Sequence, residues 1–343
     1  MVFAEGGSAI RVQNEALDVR SGFDFDAVLG PNCGQEEAYE ACGKPVLEAV
    51  LQGRRGSLLT YGQSGSGKTY TMLGEGEDGG PNSGVVPRLA QELFRRLTPL
   101  NADLMGLGGK ISVTASYYEV VAGVEHQVFD LLGSAGRSSS LSVKSVGEGF
   151  EPKGLKGVQV RSSKDLRELI AKGAKVRSTG RAHTFLTLQL ERATPVGTVA
   201  DRVQRAFEFF DKDGSGSISG KELQKALAAL GMTSDWETVQ VTMQKYDTSC
   251  NGDLDLGEFS GLVDELEERA AKISNGKMYL VDLAASDSFD PGHDSGQSKA
   301  LLPIGEYFGL LALGKVLSAL AGGRTHVPYR EATLTKLLYQ ALS

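Results

Sequence analysis

The sequence has few cysteines, no long apolar run and no export signal. Its three cysteines, Cys33, Cys42 and Cys250, lack the spacing of a metal site or a disulfide framework, which favours a reducing compartment. No run of about 18 apolar residues is present, and the first residues lack a charged region followed by an apolar one. These absences argue against a disulfide scaffold, a transmembrane helix and a signal peptide, and they predict a cytoplasmic protein without a membrane segment.

An excess of positive charge is also absent, because the chain carries 36 basic and 43 acidic residues. The imbalance lies entirely in residues 194–275, with 15 acidic and 8 basic residues, whereas the remainder is balanced at 28 of each. A balanced charge gives no reason to expect a nucleic-acid partner. The acidic segment predicts a small module inside a larger domain, which a chain of 343 residues accommodates.

A glycine-rich segment fits the phosphate-binding pattern G-x-x-x-x-G-K-[ST] of the P-loop at every position. Glycines let consecutive backbone N–H groups turn toward one anion, Lys68 is suited to reach the β- and γ-phosphates, and the Thr69 hydroxyl suits Mg²⁺. The apolar run 57–61 predicts a buried strand before the loop, and residues 70–73 are suited to open a helix. A plain Gly/Ser-rich turn is the alternative. The predicted phosphate-binding residues are Gly62, Gln63, Ser64, Gly65, Ser66, Gly67, Lys68 and Thr69.

Asp282 ends an apolar run and is the predicted acidic partner of the P-loop. An aspartate at this place holds the water shell of a phosphate-bound Mg²⁺ in P-loop enzymes, whereas a solvated strand end is the alternative. Strand patterns alternate with helical patterns along the chain. The sequence therefore predicts a three-layer α/β domain of the P-loop NTPase class, with its ligand at the carboxyl edge of the strands.

Within residues 194–275 the pattern changes, and two complete EF-hand loops appear at 211–222 and 247–258. Oxygen-bearing side chains alternate along each loop, a glycine stands at the sharp turn, and a glutamate closes the loop, as the hard oxygen ligands of Ca²⁺ require. An acidic surface turn is the alternative. The predicted calcium ligands are Asp211, Asp213, Ser215, Ser217 and Glu222 in the first loop, and Asp247, Ser249, Asn251, Asp253 and Glu258 in the second.

Apolar residues at helical spacing flank both loops, for example in 203–210 and 259–266. The segment resembles one lobe of a calmodulin-type sensor. This resemblance implies an all-α EF-hand pair in residues 194–275 that binds Ca²⁺, bridges its loops backbone to backbone at Ile218 and Leu254, and takes a calcium-dependent target helix as a possible partner.

The rest of the chain contains YGQSGSGKTYTM (61–72), LVDLA (280–284) and seven further short motifs. These occur in the order found in the kinesin motor domain family, which this part of the chain resembles. The resemblance implies a motor domain built from residues 1–193 and 276–343, with ATP and Mg²⁺ as cofactors and ATP hydrolysis coupled to movement on microtubules (tubulin) of the cytoskeleton. The family's first strand, last strand and last helix have no counterpart, which favours a piece of a longer protein. The motifs that carry the resemblance are FDAV (25–28), QEEAY (35–39), YGQSGSGKTYTM (61–72), SYYEV (116–120), VFDLL (128–132), LVDLA (280–284), LLALG (310–314), HVPYRE (326–331) and LTKLL (334–338).

The resemblance also implies roles for single residues. Tyr70 is expected near the adenine, and Thr69 and Asp282 are expected to hold magnesium. Arg181 and Asp287 are expected to form a latch between switch I and switch II, the two nucleotide-sensing segments of the family. Asp282 is expected to belong to switch II. The residues expected to face the microtubule are Arg330 and Lys336.

Both switch motifs depart from the family's pattern. Gly180 stands where the family has a serine that touches Mg²⁺, Ala285 replaces a glycine whose N–H approaches the γ-phosphate, and Asp287 is one methylene shorter than the family's glutamate. Because phosphoryl transfer depends on positioning, we expect ATP binding with slow hydrolysis. Acidic residues in 289–294 predict weak affinity for acidic tubulin. The alternative function is a calcium-sensing microtubule-associated scaffold whose motor part no longer hydrolyses ATP.

Overall fold

The computed structural model describes residues 2–5, 7–14, 19–75, 80–101, 111–121, 127–133, 139–178, 182–192, 198–229, 235–271, 275–286 and 305–343. The elements outside the EF-hand segment are, in chain order, β1 (Val2–Glu5), β2 (Ala9–Asn14), β3 (Val19–Asp24), α1 (Gln35–Ala38), a π-helical turn (Tyr39–Gly43), α2 (Lys44–Leu51), β4 (Arg55–Thr60), α3 (Lys68–Leu73), α4 (Val85–Asn101), β5 (Ile111–Val121), β6 (Gln127–Asp130), β7 (Val143–Val146), β8 (Gly149–Pro152), β9 (Val158–Val160), α5 (Ser163–Ala174), β10 (Ala182–Arg192), β13 (Gly276–Asp282), α10 (Gly305–Ala321), a 3-10 turn (Tyr329–Glu331) and α11 (Thr333–Leu342).

A six-stranded mixed sheet forms the middle of the molecule, in the order β4-β13-β10-β5-β6, with β9 also paired to β5. β13 runs parallel to β4, and the other neighbours pair antiparallel. Successive side chains of a strand point to opposite faces. Leu186 and Leu188 of β10 accordingly lie in one apolar core, whereas Phe185 lies in another. The sheet is therefore buried on both faces.

Helices cover both faces of this sheet. Leu47 of α2, Leu89 of α4 and Leu166 of α5 are buried against one face, and Leu313 of α10 and Leu334 of α11 are buried against the other. This arrangement confirms the predicted three-layer α/β fold. In the described part of the chain, no helix is both long enough and apolar enough to cross a membrane.

The EF-hand segment forms two helix–loop–helix units with an apolar core of their own. Side-chain caps start two of its four helices: the Thr198 hydroxyl accepts a hydrogen bond from Asp201 N–H, and the Asp235 carboxylate accepts one from Thr238 N–H. Its buried residues form a cluster separate from those of the main sheet. Its elements are α6 (Val199–Phe210), β11 (Ile218–Ser219), α7 (Gly220–Ala229), α8 (Trp236–Tyr246), β12 (Asp253–Leu254) and α9 (Leu256–Ala271).

The EF-hand segment connects β10 to β13, two neighbouring strands in the middle of the sheet. Seven residues of each strand pair antiparallel, from Thr184 opposite Asp282 to Leu190 opposite Gly276. The two strands thus form one antiparallel hairpin with the EF-hand segment inserted in its connection. Its Leu190 end faces the insertion, and its Asp282 end reaches the edge of the sheet where the P-loop lies.

Candidate functional site

The predicted phosphate loop connects β4 to α3 at the carboxyl edge of the sheet. Gly65 and Gly67 have φ angles of +73° and +86°, a left-handed conformation that glycine adopts without steric cost. The chain turns there and enters α3 directly at Lys68. The structure therefore places residues 62–67 as a turn between the half-buried strand β4 and α3, with Lys68 and Thr69 in the first turn of that helix.

Lys68 lies against the loop that precedes it. Its Nζ donates hydrogen bonds to the carbonyl oxygens of Gly62 at 2.9 Å and Gln63 at 2.7 Å. These bonds hold a positive charge at the loop, beside the backbone N–H groups that would bind phosphate.

Asp282 is the centre of a hydrogen-bonded cluster beside the loop. It is only 9% exposed, and each of its carboxylate oxygens accepts a threonine hydroxyl, Oδ1 from Thr60 at 2.9 Å and Oδ2 from Thr69 at 2.8 Å. The parallel pairing of β13 with β4 sets Thr60 opposite Asp282. The sequence predicted that Thr69 and Asp282 act together. It did not predict Thr60, because no local sequence pattern indicates that this threonine lies beside Asp282.

This donor set fits a magnesium ion. A hydroxyl that donates its proton to a carboxylate keeps its oxygen lone pairs free for a cation, so the Thr69 oxygen is prepared to be a ligand. Mg²⁺ prefers oxygen ligands and retains several waters, which the Asp282 carboxylate is placed to hold. The Thr60 hydroxyl fixes the orientation of that carboxylate.

Tyr70, the predicted adenine contact, lies on α3 immediately after Thr69. Its side chain is 43% exposed, and its hydroxyl is 3.5 Å from Asn82 Oδ1. Its carbonyl oxygen accepts a hydrogen bond from the buried Gln35 side chain at 2.8 Å. The ring is therefore presented at the rim of the loop while its backbone is fixed from α1.

Arg181 and Asp287, the two predicted latch residues, lie outside the described residues. The segment that leads toward Asp287 contacts the P-loop, because Ser286 N–H donates to the Gly62 carbonyl oxygen at 3.0 Å. His183, in β10, is buried and accepts a hydrogen bond from Ala284 N–H on its Nδ1 at 3.1 Å. The start of β10 and the end of β13 are thus held together beside the phosphate loop.

Sequence reasoning missed two further residues at this edge. Arg177 Nη2 lies 3.5 Å from Asp282 Oδ2. Glu119, in β5, is fully buried, and its Oε2 accepts a hydrogen bond from Ser178 N–H at 2.9 Å. Glu119 belongs to the SYYEV motif, but its partner is 59 positions away, so the motif alone gives no indication of this contact.

The first EF-hand loop brings three of its predicted ligands together. Carboxylate oxygens of Asp211, Asp213 and Glu222 all lie within 4.8 Å of one another, a spread compatible with ligands at about 2.3–2.6 Å from one Ca²⁺. Asp211 Oδ1 accepts a hydrogen bond from Ser215 N–H at 2.9 Å, and Glu222 Oε1 accepts one from Lys212 N–H at 2.8 Å. The closing glutamate is thus folded back over the start of its loop.

Hydrogen bonds favour the ionised form of two acids in this loop. Burial acts to raise the pKa of Glu222, but bonds from Ser219 and from the Lys212 N–H outweigh it and leave that pKa below its ordinary value. The hydrogen bonds from Ser215 similarly lower the pKa of Asp213. An ionised carboxylate is the form that binds a cation, so these groups are prepared for Ca²⁺ at neutral pH.

The second EF-hand loop repeats the backbone hydrogen bonds of the first, but among the described residues only the first loop brings three acids into one close group. Asp247 Oδ1 accepts a hydrogen bond from Asn251 N–H at 3.1 Å. Glu258 accepts backbone bonds from Ser249 at 2.8 Å and Asp255 at 3.0 Å, and these bonds lower the pKa of Glu258 to about 2. Backbone N–H groups therefore hold the first and last predicted ligands of the second loop, as they do in the first loop.

The two loops are joined by the short pairing of β11 with β12. Ile218 and Leu254 pair with each other and are fully buried, as predicted from their place in the loops. Ser217 Oγ also donates a hydrogen bond to Asp253 Oδ2 at 3.2 Å. The two loops are therefore in direct backbone and side-chain contact.

The predicted microtubule-facing residues lie on adjacent elements. Arg330 is exposed in the 3-10 turn, and Lys336 is half-buried on α11. Lys315 of α10 forms an ion pair with Glu331 at 2.8 Å. Several large apolar side chains of α10 are exposed, namely Phe308, Leu311, Leu317 and Leu320. The described part of this helix therefore presents mainly apolar surface.

The fold and the loop geometry define a P-loop α/β protein with an inserted EF-hand pair. The kinesin motor domain model matches residues 5–215 and 261–343, and the EF-hand domain pair model matches residues 200–263. Since the motor model accounts for most of the chain, this chain belongs to the kinesin motor domain family.

Individual relatives are distant. The kinesin heavy chain of Syncephalastrum racemosum is 26% identical over 348 residues, covering 98% of this chain and 29% of that protein. The kinesin heavy chain of Neurospora crassa is 25% identical, with 96% and 28% covered. The kinesin-like protein KIN-5B of Arabidopsis thaliana is 28% identical, with 93% and 25% covered. This chain thus spans less than a third of the length of these curated relatives.

A solved structure of a fast kinesin has a similar fold. It superposes with a TM-score of 0.62 at 22% identity, covering 99% of this chain and 75% of that chain. At this identity the likeness supports the fold alone.

Proposed function

We propose that this chain is an ATP-binding microtubule motor domain that also binds calcium. The cluster at Asp282 carries the proposal, because a buried carboxylate that accepts the Thr60 and Thr69 hydroxyls directly beside a P-loop suits a magnesium–nucleotide complex. Membership of the kinesin motor family supports the choice of ATP.

Each part of this site has a proposed role. Residues 62–69 cradle the phosphates, with the Lys68 ammonium on the β- and γ-phosphates, and Tyr70 packs against the adenine. Bound Mg²⁺ would neutralise charge that develops on the phosphates. Thr69 and Asp282 hold it, one through the hydroxyl and the other through water. Arg181 and Asp287 are proposed as the latch between the switches.

A steady-state ATPase assay with and without microtubules tests this function. We expect slow turnover that microtubules stimulate, and we expect Ala285→Gly to raise it about tenfold, since a lowering of the barrier by about 1.4 kcal/mol has this effect. Nucleotide binding without turnover in either condition would instead favour the calcium-sensing scaffold. If the parent chain binds no nucleotide, the assignment of residues 62–69 as a P-loop is wrong.

Microtubule binding is proposed through Arg330 and Lys336. Most of the exposed side chains described on α10 are apolar. Its lysine, Lys315, is already paired with Glu331. Attraction to acidic tubulin is therefore expected to be weak. Co-sedimentation with microtubules at low and physiological salt measures it, and tight binding that salt does not change would contradict this view.

Calcium binding is proposed for the unit formed by residues 194–275. Support comes from the three converging acids of the first loop, from the similar backbone hydrogen bonds of the second and from the match to an EF-hand domain pair. Opening of sensor EF-hands changes the angle between their helices and exposes an apolar groove. In this chain such opening would act on the β10–β13 hairpin, or recruit a target helix. Calcium control of nucleotide or microtubule affinity is therefore part of the proposal.

A further inference from the structure

Arg177 lies beside the carboxylate of the proposed magnesium site. Its Nη2 is 3.5 Å from Asp282 Oδ2, the same oxygen that accepts the Thr69 hydroxyl at 2.8 Å. The two charged side chains are 26% and 12% exposed. Charges that are partly buried are screened much less by salt than surface charges, so the two groups attract each other directly.

The backbone on both sides of the Arg177 side chain is fixed. Arg177 N–H donates to the Gly173 carbonyl oxygen at 3.0 Å, at the end of α5. The next N–H, that of Ser178, donates to the buried Glu119 carboxylate at 2.9 Å. The arginine is therefore held between a helix end and a strand, and it is not a freely moving surface side chain.

The sheet places these groups in one row. Glu119 pairs with Thr184, and Thr184 pairs with Asp282, across three adjacent strands. Because Glu119 in this row binds Ser178 N–H, the neighbouring Arg177 lies close enough to reach Asp282. Register thus determines which basic residue meets this carboxylate. Lys68 is held elsewhere, on the carbonyl oxygens of its own loop.

We propose that Arg177 is a positioning residue that competes with Mg²⁺ for Asp282 and so sets the magnesium concentration at which nucleotide is retained. The proposal rests on the proposed nucleotide site. A carboxylate that already faces a guanidinium attracts a second cation less strongly. By reciprocity, Mg²⁺ must weaken the Arg177–Asp282 pair as much as the pair weakens Mg²⁺. Metal binding would then release the Arg177 side chain from Asp282.

A magnesium titration of bound fluorescent ADP, performed on the full chain, tests this proposal. We expect Arg177→Gln and Arg177→Met to lower the magnesium concentration at half-maximal retention about tenfold, and Arg177→Lys to stay near the parent chain. Lys175→Gln is the matched control, because it removes the same charge from an exposed position two residues away. Its midpoint is expected to stay within about twofold of the parent.

A second comparison separates the effect of the Arg177–Asp282 pair from the general electrostatic effect of removing one positive charge. In an Asp282→Asn background, Arg177→Gln is expected to cause no further shift, because its partner charge is gone. An unchanged midpoint in Arg177→Gln and Arg177→Met, or an equal shift in the Asp282→Asn background, would overturn the proposal alone. A parent chain that binds no nucleotide at any magnesium concentration would overturn it together with the proposed function.

Discussion

Two lysines of similar chemistry are held in different ways. Lys68 donates to two carbonyl oxygens of the P-loop, whereas Lys44 pairs with Glu40 on an exposed helical surface. The first places its charge beside a ring of backbone N–H groups that favours an anion, and the second contributes little because solvent screens it. Position, and not charge alone, is what makes Lys68 a candidate ligand for phosphate.

Lys68→Ala is expected to weaken ATP binding about a hundredfold, because it removes a charge-assisted hydrogen bond to phosphate within the loop. Lys44→Ala, the matched control, is expected to leave the affinity unchanged. Equilibrium titration with a fluorescent ATP analogue measures both. Parent-like affinity in Lys68→Ala would show that residues 62–69 do not hold the nucleotide.

Calcium binding is expected at both EF-hand loops, with dissociation constants of roughly 10⁻⁷ to 10⁻⁵ M. Glu222→Gln and Glu258→Gln each remove a bidentate ligand and are expected to abolish one of the two sites, whereas Glu208→Gln, outside the loops, leaves both. Calorimetry counts the sites, and the fluorescence of Trp236, the single tryptophan, reports on α8 between the loops. Fewer than two sites in the parent chain would contradict the assignment.

At the scale of elements, ion pairs tie α2 to α4 on one face of the sheet. Arg96 contacts Glu48 of α2 at 2.6 Å and Glu92 of its own helix at 2.7 Å. Hydrogen bonds from Arg95 and Arg96 outweigh partial burial and lower the pKa of Glu92 to about 2. A carboxylate whose pKa is lowered in the folded state contributes stability above its ordinary pKa, and this contribution is lost as pH falls through the folded value.

Glu92→Gln is therefore expected to lower the free energy of unfolding by about 1 kcal/mol at neutral pH, a value reduced by solvent screening of the pair. The difference from the parent chain should shrink as pH falls from about 4.5 to 2. Urea unfolding followed by circular dichroism at several pH values measures it. Glu40→Gln, in an exposed pair, is the control. A difference that stays constant with pH would mean that the ionised pair is not its origin.

At the scale of the whole molecule, the insertion and the nucleotide site share one hairpin. β10 and β13 lead to the EF-hand pair at their Leu190 and Gly276 ends and to Asp282 at the other. The hairpin lies in the middle of a sheet covered on both faces, so movement at one end is resisted by a close-packed core. The EF-hand pair can affect the proposed nucleotide site only to the extent that a change in the angle between its helices moves Asp282 through this hairpin.

We expect saturating ATP analogue to shift calcium affinity by about fivefold or more, and calcium to shift nucleotide affinity by the same factor, because coupling between two sites is reciprocal. Calcium titrations at zero and saturating analogue measure it. The double variant Glu222→Gln/Glu258→Gln is the control and should show no calcium effect on nucleotide affinity. Identical calcium isotherms in the parent chain would show that the EF-hand pair does not communicate with the nucleotide site.

The sequence by itself determined the local sites of this protein. The P-loop at 62–69 and the loops at 211–222 and 247–258 are contiguous, and their function depends on spacing, turn glycines and ligand types that can be read along the chain. The three-layer α/β fold with an inserted EF-hand pair also followed from patterns and family resemblance, and the structure and the family matches confirm it.

Only the tertiary structure decided which distant residues complete the proposed nucleotide site. Thr60 and Asp282 are 222 positions apart, Arg177 and Asp282 are 105 apart, and Glu119 and Ser178 are 59 apart. Strand order and register bring these groups together, and a shift of one residue would turn each strand side chain to the opposite face. Register results from packing of the whole sheet between its helices, so no local pattern contains it.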